Sequence, residues 1–296
     1  MFSRRHPYLF FILVFTAIVS GMFVTMTMLI VGVQKSPSFA GDTVGIVEIE
    51  GVIMESKDTV RQLKEYREDE SIKAIVLRID SPGGAVGPSQ EIYREVRKTI
   101  EKKKVIASMG SVAASGGYYI AAASDGIVAN PGTITGSIGV IMGYTNFREI
   151  FQKIGLLPIV IKSGEYKDIG SPLREMTAPE KEILQKFVDT IHRQFVQDVS
   201  LGRKMDPLQM GKLADGRIFS GEEAKMLGLV DRTGNFEDAV EWAGRLGGIK
   251  GKISTVYPEE KPLSFLQYLT ESSLDSLFSR LSRSDIAAEY RYEPRP

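Results

Sequence analysis

Ser115 lies in the stretch of the sequence that is best suited to nucleophilic chemistry. Ala113-Ala114 precede it and Gly116-Gly117 follow it, between a β-like run at Val105 to Met109 and a helix-compatible run at Tyr118 to Ala123. A sharp turn from strand to helix suits a nucleophile, because small neighbours allow another backbone to approach. The amide of Gly116 would point from the helix N-terminus at developing negative charge. The alternative is a glycine-rich turn that is packed tightly for its own sake.

A serine nucleophile also needs a base, because its hydroxyl is weak at its own pKa. The chain has no cysteine and two histidines, His6 and His192. His192 lies at the edge of an apolar helical stripe, where a partly buried structural role is the better interpretation. The remaining competent group is a lysine whose pKa is lowered by burial.

Lys167 is the better candidate for this base, because it lies among glycines and a proline, whereas Lys162 lies at the end of a predicted strand. Asp168, next to Lys167, could instead raise the pKa of the lysine. A solvent-exposed lysine without a catalytic role is the alternative interpretation.

The N-terminal part of the sequence predicts a membrane anchor. Arg4 and Arg5 are followed by an uncharged apolar run from Tyr8 to Val33, which as a helix would span about 39 Å at ~1.5 Å per residue, enough to cross a bilayer. Positive charge before the span places the N-terminus in the cytoplasm and the rest outside. The alternative is a cleaved signal peptide, for which Ser38-Phe39-Ala40 offers a small-x-small site.

The composition predicts one sizeable globular core with attached segments. The chain has 296 residues, of which 43% are hydrophobic and 25% are charged, enough to bury such a core. The 37 basic and 37 acidic side chains cancel, so the overall charge does not suggest a nucleic-acid partner. With two histidines and no cysteine, we expect no metal site.

Short β-branched runs alternate with longer amphipathic ones from Thr43 onward, which is typical of an α/β domain. Strands are predicted at Thr43 to Glu50, Ile72 to Asp80, Ile127 to Ala129 and Leu157 to Lys162, and Ser81 to Gly84 is expected to break the second of them. A capping box at Thr177 to Glu180 begins the best-defined helix. We expect a tail at 1–7, an anchor at 8–33, a linker at 34–42, a catalytic domain at 43–256, and an amphipathic helix (Leu263 to Leu281) with a polar tail within 257–296.

Four motifs, taken in order, carry a resemblance to a known family. They are Ser81-Pro82-Gly83-Gly84, Ala113-Ala114-Ser115-Gly116-Gly117-Tyr118-Tyr119, Gly136-Ser137-Ile138-Gly139-Val140 and Lys162-Ser163-Gly164-Glu165-Tyr166-Lys167-Asp168. Each motif is weak alone, but the ordered set resembles the signal peptide peptidase A (SppA) family in its short form with one catalytic repeat. The resemblance covers roughly Val44 to Trp242 and the anchor.

The resemblance implies a crotonase-like or Clp-protease-like fold of ββα units and a serine endopeptidase without a cofactor. Carried over by motif, Ser115 is the nucleophile, Lys167 the general base, and the amides of Gly116 and of Gly84, or else Gly83, form the oxyanion hole. Family members hydrolyse remnant signal peptides and other small unfolded peptides at the outer face of the cytoplasmic membrane. They assemble as a ring or dome. In double-length relatives the lysine and the serine lie in different repeats, so in this short form the dyad is expected to span neighbouring protomers.

Two other functions are compatible with the same fold. Acyl-CoA enzymes use paired glycine amides to hold a thioester oxyanion, but an extracytoplasmic domain would meet no coenzyme A. A non-catalytic scaffold would tolerate the loss of Ser115 or Lys167, and both are present.

Overall fold

The computed structural model describes residues 7–33, 42–258 and 289–291. The chain divides into two compact units, Met1–Gly41 and Asp42–Pro296. The predicted signal-peptide cleavage site at Ser38 to Ala40 and the predicted amphipathic helix at Leu263 to Leu281 lie outside the described residues.

The first unit contains one described helix, α1 (Pro7–Val33). Those of its apolar side chains that are described are exposed, among them Phe11, Phe15 and Phe23. Within the described part of the chain, no helix was found to be long and apolar enough to cross a membrane. The anchor at 8–33 therefore stays a prediction.

The second unit is built on one mixed sheet. Its described strands are β1 (Thr43–Ile53), β2 (Ile72–Ala85), β3 (Lys104–Ala114), β4 (Gly126–Ala129), β5 (Ile134–Gly136), β6 (Ile218–Ser220), β7 (Arg232–Thr233), β8 (Ser254–Val256) and β9 (Glu289–Arg291). The order is β6-β5-β3-β2-β1-β8, with β4 beside β3 and β7, and with β9 beside β2. The pairs are parallel, except β5 with β6 and β2 with β9, which are antiparallel.

Helices connect most of these strands. They are α2 (Lys57–Glu68), α3 (Val86–Thr99), α4 (Gly116–Ala121), α5 (Arg148–Lys153), α6 (Ala178–Arg203), α7 (Pro207–Leu213), α8 (Gly221–Met226) and α9 (Phe236–Leu246). The predicted helix start at Thr177 is confirmed: the Thr177 hydroxyl accepts from the Glu180 N–H, the Glu180 carboxylate accepts from the Thr177 N–H, and a proline occupies the first turn.

Alternate residues of the central strands enter two separate apolar clusters. Ile75 and Leu77 of β2 belong to the cluster under α2, α3 and α4, whereas Val76 belongs to the cluster under α9. All three side chains are fully buried. The nearly continuous apolar run at Ile75 to Leu77 therefore reflects a strand that is covered on both faces, as the sequence predicted.

Strand β2 does not end at Asp80, so the predicted break at Ser81 to Gly84 was wrong. The strand continues to Ala85, and its pairing with β1 is interrupted near Gly51 and resumes with Val52 opposite Gly83. Pro82 falls in this irregular stretch, just beyond the point where pairing with β3 ends at Ser81. Because proline has no N–H to give to a ladder, it is tolerated where the ladder is interrupted.

The predicted strand at Leu157 to Lys162 was also wrong. These residues form no regular structure, and Leu157, Ile159 and Ile161 are 80%, 88% and 97% exposed. The run has the composition of a strand, but nothing in the described part of its own chain pairs with it. A strand needs a partner as well as propensity.

Candidate active site

Ser115 lies between β3 and α4 in a backbone conformation that a serine rarely adopts. Its φ is 52° and its ψ is −113°, outside the well-populated regions for an L-residue. Such a conformation costs about 1–3 kcal/mol and persists only where the surroundings enforce it. Here the Ser115 N–H donates to the Gly136 carbonyl over 2.8 Å. A strained serine at a strand-to-helix turn is the geometry of a nucleophile elbow.

The Ser115 side chain is buried and unbonded. The residue is 1% exposed, and its Oγ has no hydrogen-bond partner among the described residues. Leaving a hydroxyl buried without a partner costs about 1–3 kcal/mol. A buried hydroxyl without a hydrogen-bond partner calls for an explanation. A base or a substrate that the described residues do not supply would provide one.

Helix α4 begins directly after Ser115, and the contacts of its two tyrosines fix it in the core. The Tyr118 hydroxyl donates to the Leu229 carbonyl over 3.0 Å, and the Tyr119 hydroxyl bonds the Asp198 carboxylate. The Tyr119 ring meets Phe195 of α6 edge to face, with centroids 5.0 Å apart. Burial raises the pKa of Tyr118, so its hydroxyl stays protonated and keeps donating. We infer that α4 positions Ser115 as part of the core.

Two of the three oxyanion candidates, Gly83 and Gly84, lie on the neighbouring strand β2. Ser81 of β2 is in register with Ala113 of β3, and a Cβ on Gly117 would come within 2.8 Å of the Ser81 carbonyl. This close approach requires glycine and brings the start of α4 against β2. The Gly83 N–H donates to the Ser81 hydroxyl over 3.1 Å. The Gly83 amide is engaged in this way, and Gly84, which the resemblance favours, stands opposite Ile53 of β1 and Tyr290 of β9.

A short strand of the protein's own C-terminal region lies along this part of β2. In β9, Arg291, Tyr290 and Glu289 pair antiparallel with Gly83, Gly84 and Ala85. Strand β9 also lies against α3 and α4. The edge of β2 beyond Ser81 thus accepts an extended peptide beside the turn that carries Ser115. The sequence prediction of a helix and polar tail over 257–296 did not include this strand.

Lys167 is exposed and does not hydrogen-bond the buried Ser115 hydroxyl. The segment before it is also exposed: α5 buries none of its residues. No hydrogen bond therefore joins the predicted pair within the described part of a single chain.

Asp168 faces other cations and not Lys167. The Lys162 ammonium lies 2.6 Å from its carboxylate, and the Arg174 guanidinium donates to both carboxylate oxygens over 2.8 Å. The hydrogen bonds from Arg174, and then from Lys162, lower the pKa of Asp168 well below its usual range. Lys162 is thus engaged in an ion pair, which disfavours it as a base. The Asp168 carboxylate is directed at Lys162 and Arg174.

Arg174 also ties this loop to α6. It pairs with Glu180, and these bonds, together with the Thr177 N–H, lower the pKa of the Glu180 carboxyl to about 2. Glu180 is the third helical residue of α6, so the same side chain closes the capping box and fixes the loop. The loop that carries Lys167 is therefore attached to α6 at its C-terminal end.

His192 does not hydrogen-bond Ser115 within the described part of the chain. It lies on α6 with its Nε2 buried and without a hydrogen-bond partner among the described residues. Its half-buried position fits the structural role that the sequence favoured.

Comparison with known proteins identifies the family. The model of peptidase family S49 matches residues 97–250, and the Clp protease model matches residues 46–133. A putative protease of Synechocystis sp. is 43% identical over 246 residues, which cover 81% of this chain and 87% of that protein. The chain belongs to peptidase family S49.

Two further relatives of this S49 peptidase carry more specific names. A putative signal peptide peptidase SppA of Enterococcus faecium is 42% identical over 182 residues, covering 61% of this chain and 53% of that protein. Protease 4 of Salmonella typhi is 34% identical over 237 residues, covering 76% of this chain and 38% of that protein. The resemblance to the SppA family is confirmed, and the S49 peptidase is a serine protease with a Clp-protease-like domain.

The structure brings together some of the predicted site residues of the S49 peptidase. Ser115 and Gly116 follow β3 where the start of α4 lies against Ser81, two residues before Gly83 on β2, and Lys167 does not hydrogen-bond Ser115 among the described residues. Gly136 belongs to the Gly136-to-Val140 motif, for which a plain loop was an equally good interpretation. Its carbonyl holds the Ser115 amide. The turn-forming residues around Gly136 were the signal that could have suggested this role.

Proposed function

We propose that this protein is a membrane-anchored serine endopeptidase that uses Ser115 as nucleophile and Lys167 of a neighbouring protomer as general base. The observation that carries the proposal is the Ser115 hydroxyl, which is buried, unbonded and held on a strained turn. Such a group is costly in a structural turn and useful in a nucleophile.

The proposed mechanism is acyl transfer. The neutral Lys167 amine takes the proton from the Ser115 hydroxyl as Oγ attacks the scissile carbonyl carbon. The amides of Gly116 and Gly84 stabilise the tetrahedral oxyanion. The lysine then gives its proton to the leaving amine, and water, activated by the same amine, hydrolyses the acyl enzyme. No metal or cofactor takes part in these steps.

The exposed arm, defined here as residues 147–161, supports the proposal that a second copy supplies the base. It presents Ile150, Leu157, Ile159 and Ile161 to solvent, and contiguous exposed apolar surface of this kind marks an interaction site. Lys167 follows the arm after five residues. Docking of the arm on a neighbour would carry Lys167 to that neighbour, where the Ser115 hydroxyl has no hydrogen-bond partner among the described residues. Repeated head to tail with a rotation that closes, this contact forms a ring.

The proposed substrates are extended peptides, in particular remnant signal peptides. Strand β9 supports this substrate class, because it is itself an extended segment that pairs with Gly83 to Ala85 next to α4. A peptide substrate that takes the place of β9 on this edge would present its backbone carbonyl to the Gly84 and Gly116 amides. We propose small unfolded peptides as the substrate class because only an extended chain fits such a pairing.

A serine-directed phosphonylating probe tests the proposed function. In purified full-length protein, a fluorophosphonate should label Ser115 and no other serine, as read by peptide mass spectrometry. Ser254, in β8, provides an internal comparison. Labelling that is absent, or equal at several serines, would contradict the assignment of the nucleophile.

The proposed location is the cytoplasmic membrane, with the catalytic domain outside. Support comes from the uncharged run at Tyr8 to Val33 behind Arg4 and Arg5, because positive charge before a span marks the cytoplasmic side. In intact spheroplasts, added protease should degrade residues 43–296. Full protection of that portion until the cells are lysed would reverse the topology.

A further inference from the structure

Strand β3 contains two more residues than its neighbour just before the nucleophile. Ile79 of β2 pairs with Met109 of β3, and two residues later Ser81 pairs with Ala113. Strand β2 thus advances by two residues while β3 advances by four. At about 3.3 Å per residue, removing this bulge would shift the Ala113-Ala114-Ser115 segment by about 7 Å along β2. The bulge therefore sets where Ser115 lies relative to the oxyanion strand.

The Asp80 carboxylate holds this bulge together. Its Oδ2 accepts from the Ser111 N–H over 3.2 Å and its Oδ1 accepts from the Val112 N–H over 3.1 Å. A Cβ on Gly110 would lie 2.5 Å from Asp80 Oδ2, so the carboxylate occupies the space that glycine leaves open. The Thr133 hydroxyl donates to the Gly110 carbonyl over 2.7 Å. These two side chains thus bond three backbone groups of the bulge, the N–H groups of Ser111 and Val112 and the carbonyl of Gly110.

The next residue, Ser81, fixes the other half of the site. Its hydroxyl donates to the Gly51 carbonyl over 2.6 Å and accepts from the Gly83 N–H over 3.1 Å. Two adjacent residues of β2 therefore fix both parts of the site. Asp80 binds β3, which leads to the nucleophile, and Ser81 binds the part of β2 that contains Gly83 and Gly84.

We propose that Asp80 is a positioning residue, which sets the register of Ser115 against Gly84 by clamping the bulge of β3. The proposal rests on the proposed role of Ser115 as nucleophile. Asp80 does not touch the reacting atoms, so it acts through backbone geometry. A misplacement of about 1 Å at a reacting group costs about 100-fold in rate, and this gives the scale of the expected effect.

The test compares substitutions at Asp80 with a matched control. Asp125 binds the other end of β3 in the same way, because its carboxylate accepts from the Val105 N–H over 2.9 Å. In full-length protein, Asp80→Ala should lower kcat by about 100-fold with KM within about threefold. Asp80→Asn, which keeps one acceptor oxygen, should fall between wild type and Asp80→Ala. Asp125→Asn should lose similar stability and keep kcat within about twofold.

Gly110→Ala provides an independent variant that retains the carboxylate. The added methyl group pushes Asp80 away from the bulge, so the same loss of kcat at constant KM is expected. If Asp80→Ala fails to fold, Asp80→Asn and Gly110→Ala decide. Unchanged kcat in both of these, or an equal loss of kcat in Asp125→Asn, would overturn the proposal.

Labelling of Ser115 separates this proposal from the proposed function. In wild-type protein the fluorophosphonate should label Ser115, and in Asp80→Asn the labelling rate should fall by the same factor as kcat. If wild-type protein is labelled and the Asp80→Asn rate is unchanged, the positioning role is wrong while Ser115 stays the nucleophile. If wild-type Ser115 is not labelled at all, the proposed function fails first.

Discussion

Ser115→Ala should lower kcat for peptide hydrolysis by about 10⁴-fold or more, because loss of a nucleophile removes the covalent pathway. The fold should be preserved. The hydroxyl forms no hydrogen bond among the described residues, so its removal breaks no contact and relieves the desolvation of a buried polar atom. We expect unchanged circular dichroism and a midpoint of denaturation equal to or above that of wild type.

Ser254→Ala is the matched control for this substitution. Ser254 lies in β8, which is the far end of the sheet order from β6 and pairs only with β1 among the described strands. Its replacement should leave hydrolysis within about twofold of wild type, as is usual for substitutions away from a site. Hydrolysis near the wild-type rate by folded Ser115→Ala protein would exclude Ser115 as nucleophile.

Lys167→Ala and Lys167→Arg should both lower kcat by about 10²- to 10⁴-fold, the range for loss of a general base. Arginine retains the positive charge but keeps its proton at every usable pH, so it cannot accept the proton of Ser115. The need for a neutral amine also predicts that wild-type activity rises toward alkaline pH. Steady-state rates measured from neutral to alkaline pH test both points.

The two alternative bases give the outcomes that would contradict this prediction. If Lys167→Arg is active and His192→Ala is inactive, a histidine mechanism replaces the dyad. If Lys162→Ala is inactive while Lys167→Ala is active, the base is the other lysine. We expect neither, because Lys162 is paired with Asp168 and His192 does not hydrogen-bond Ser115 within the described part of the chain.

The parts of the fold that depend on local pattern could be predicted from the sequence. The doubly covered strand at Ile75 to Leu77 and the capping box at Thr177 both follow from residue types at short spacing. The turn at Ser115 was found in the same way. Propensity and capping are local properties, so a single sequence contains them.

The errors in the fold arose where pairing decides the structure. Residues 157–162 have strand composition but no strand partner among the described residues of their own chain. Conversely, β2 runs through Pro82 and Gly83 because β1 and β9 offer partners on either side. Pairing is a long-range property, and neither a glycine pair nor an apolar run reveals it.

The register of the site was equally hidden from the sequence. Nothing in the residues from Met109 to Ala113 indicates that β3 carries two extra residues. The sequence also does not indicate that Asp80 accepts a hydrogen bond from Ser111, which lies 31 positions away. The orientation of Asp168 was also open, since its contacts with Arg174 depend on how the loop closes. These features arise from tertiary contacts between residues that lie far apart in the chain.

The central claim, a dyad that is completed between protomers, can be tested by mixing two inactive variants. Full-length Ser115→Ala and Lys167→Ala proteins are purified, dissociated, combined at several ratios and reassembled, and light scattering confirms that they form mixed assemblies. Some interfaces then join an intact Ser115 to an intact Lys167, so hydrolysis should return to a fraction of wild-type activity that depends on the ratio and is greatest near equal amounts. Mixed assemblies that stay inactive at every ratio would place both residues in a single protomer and contradict the claim.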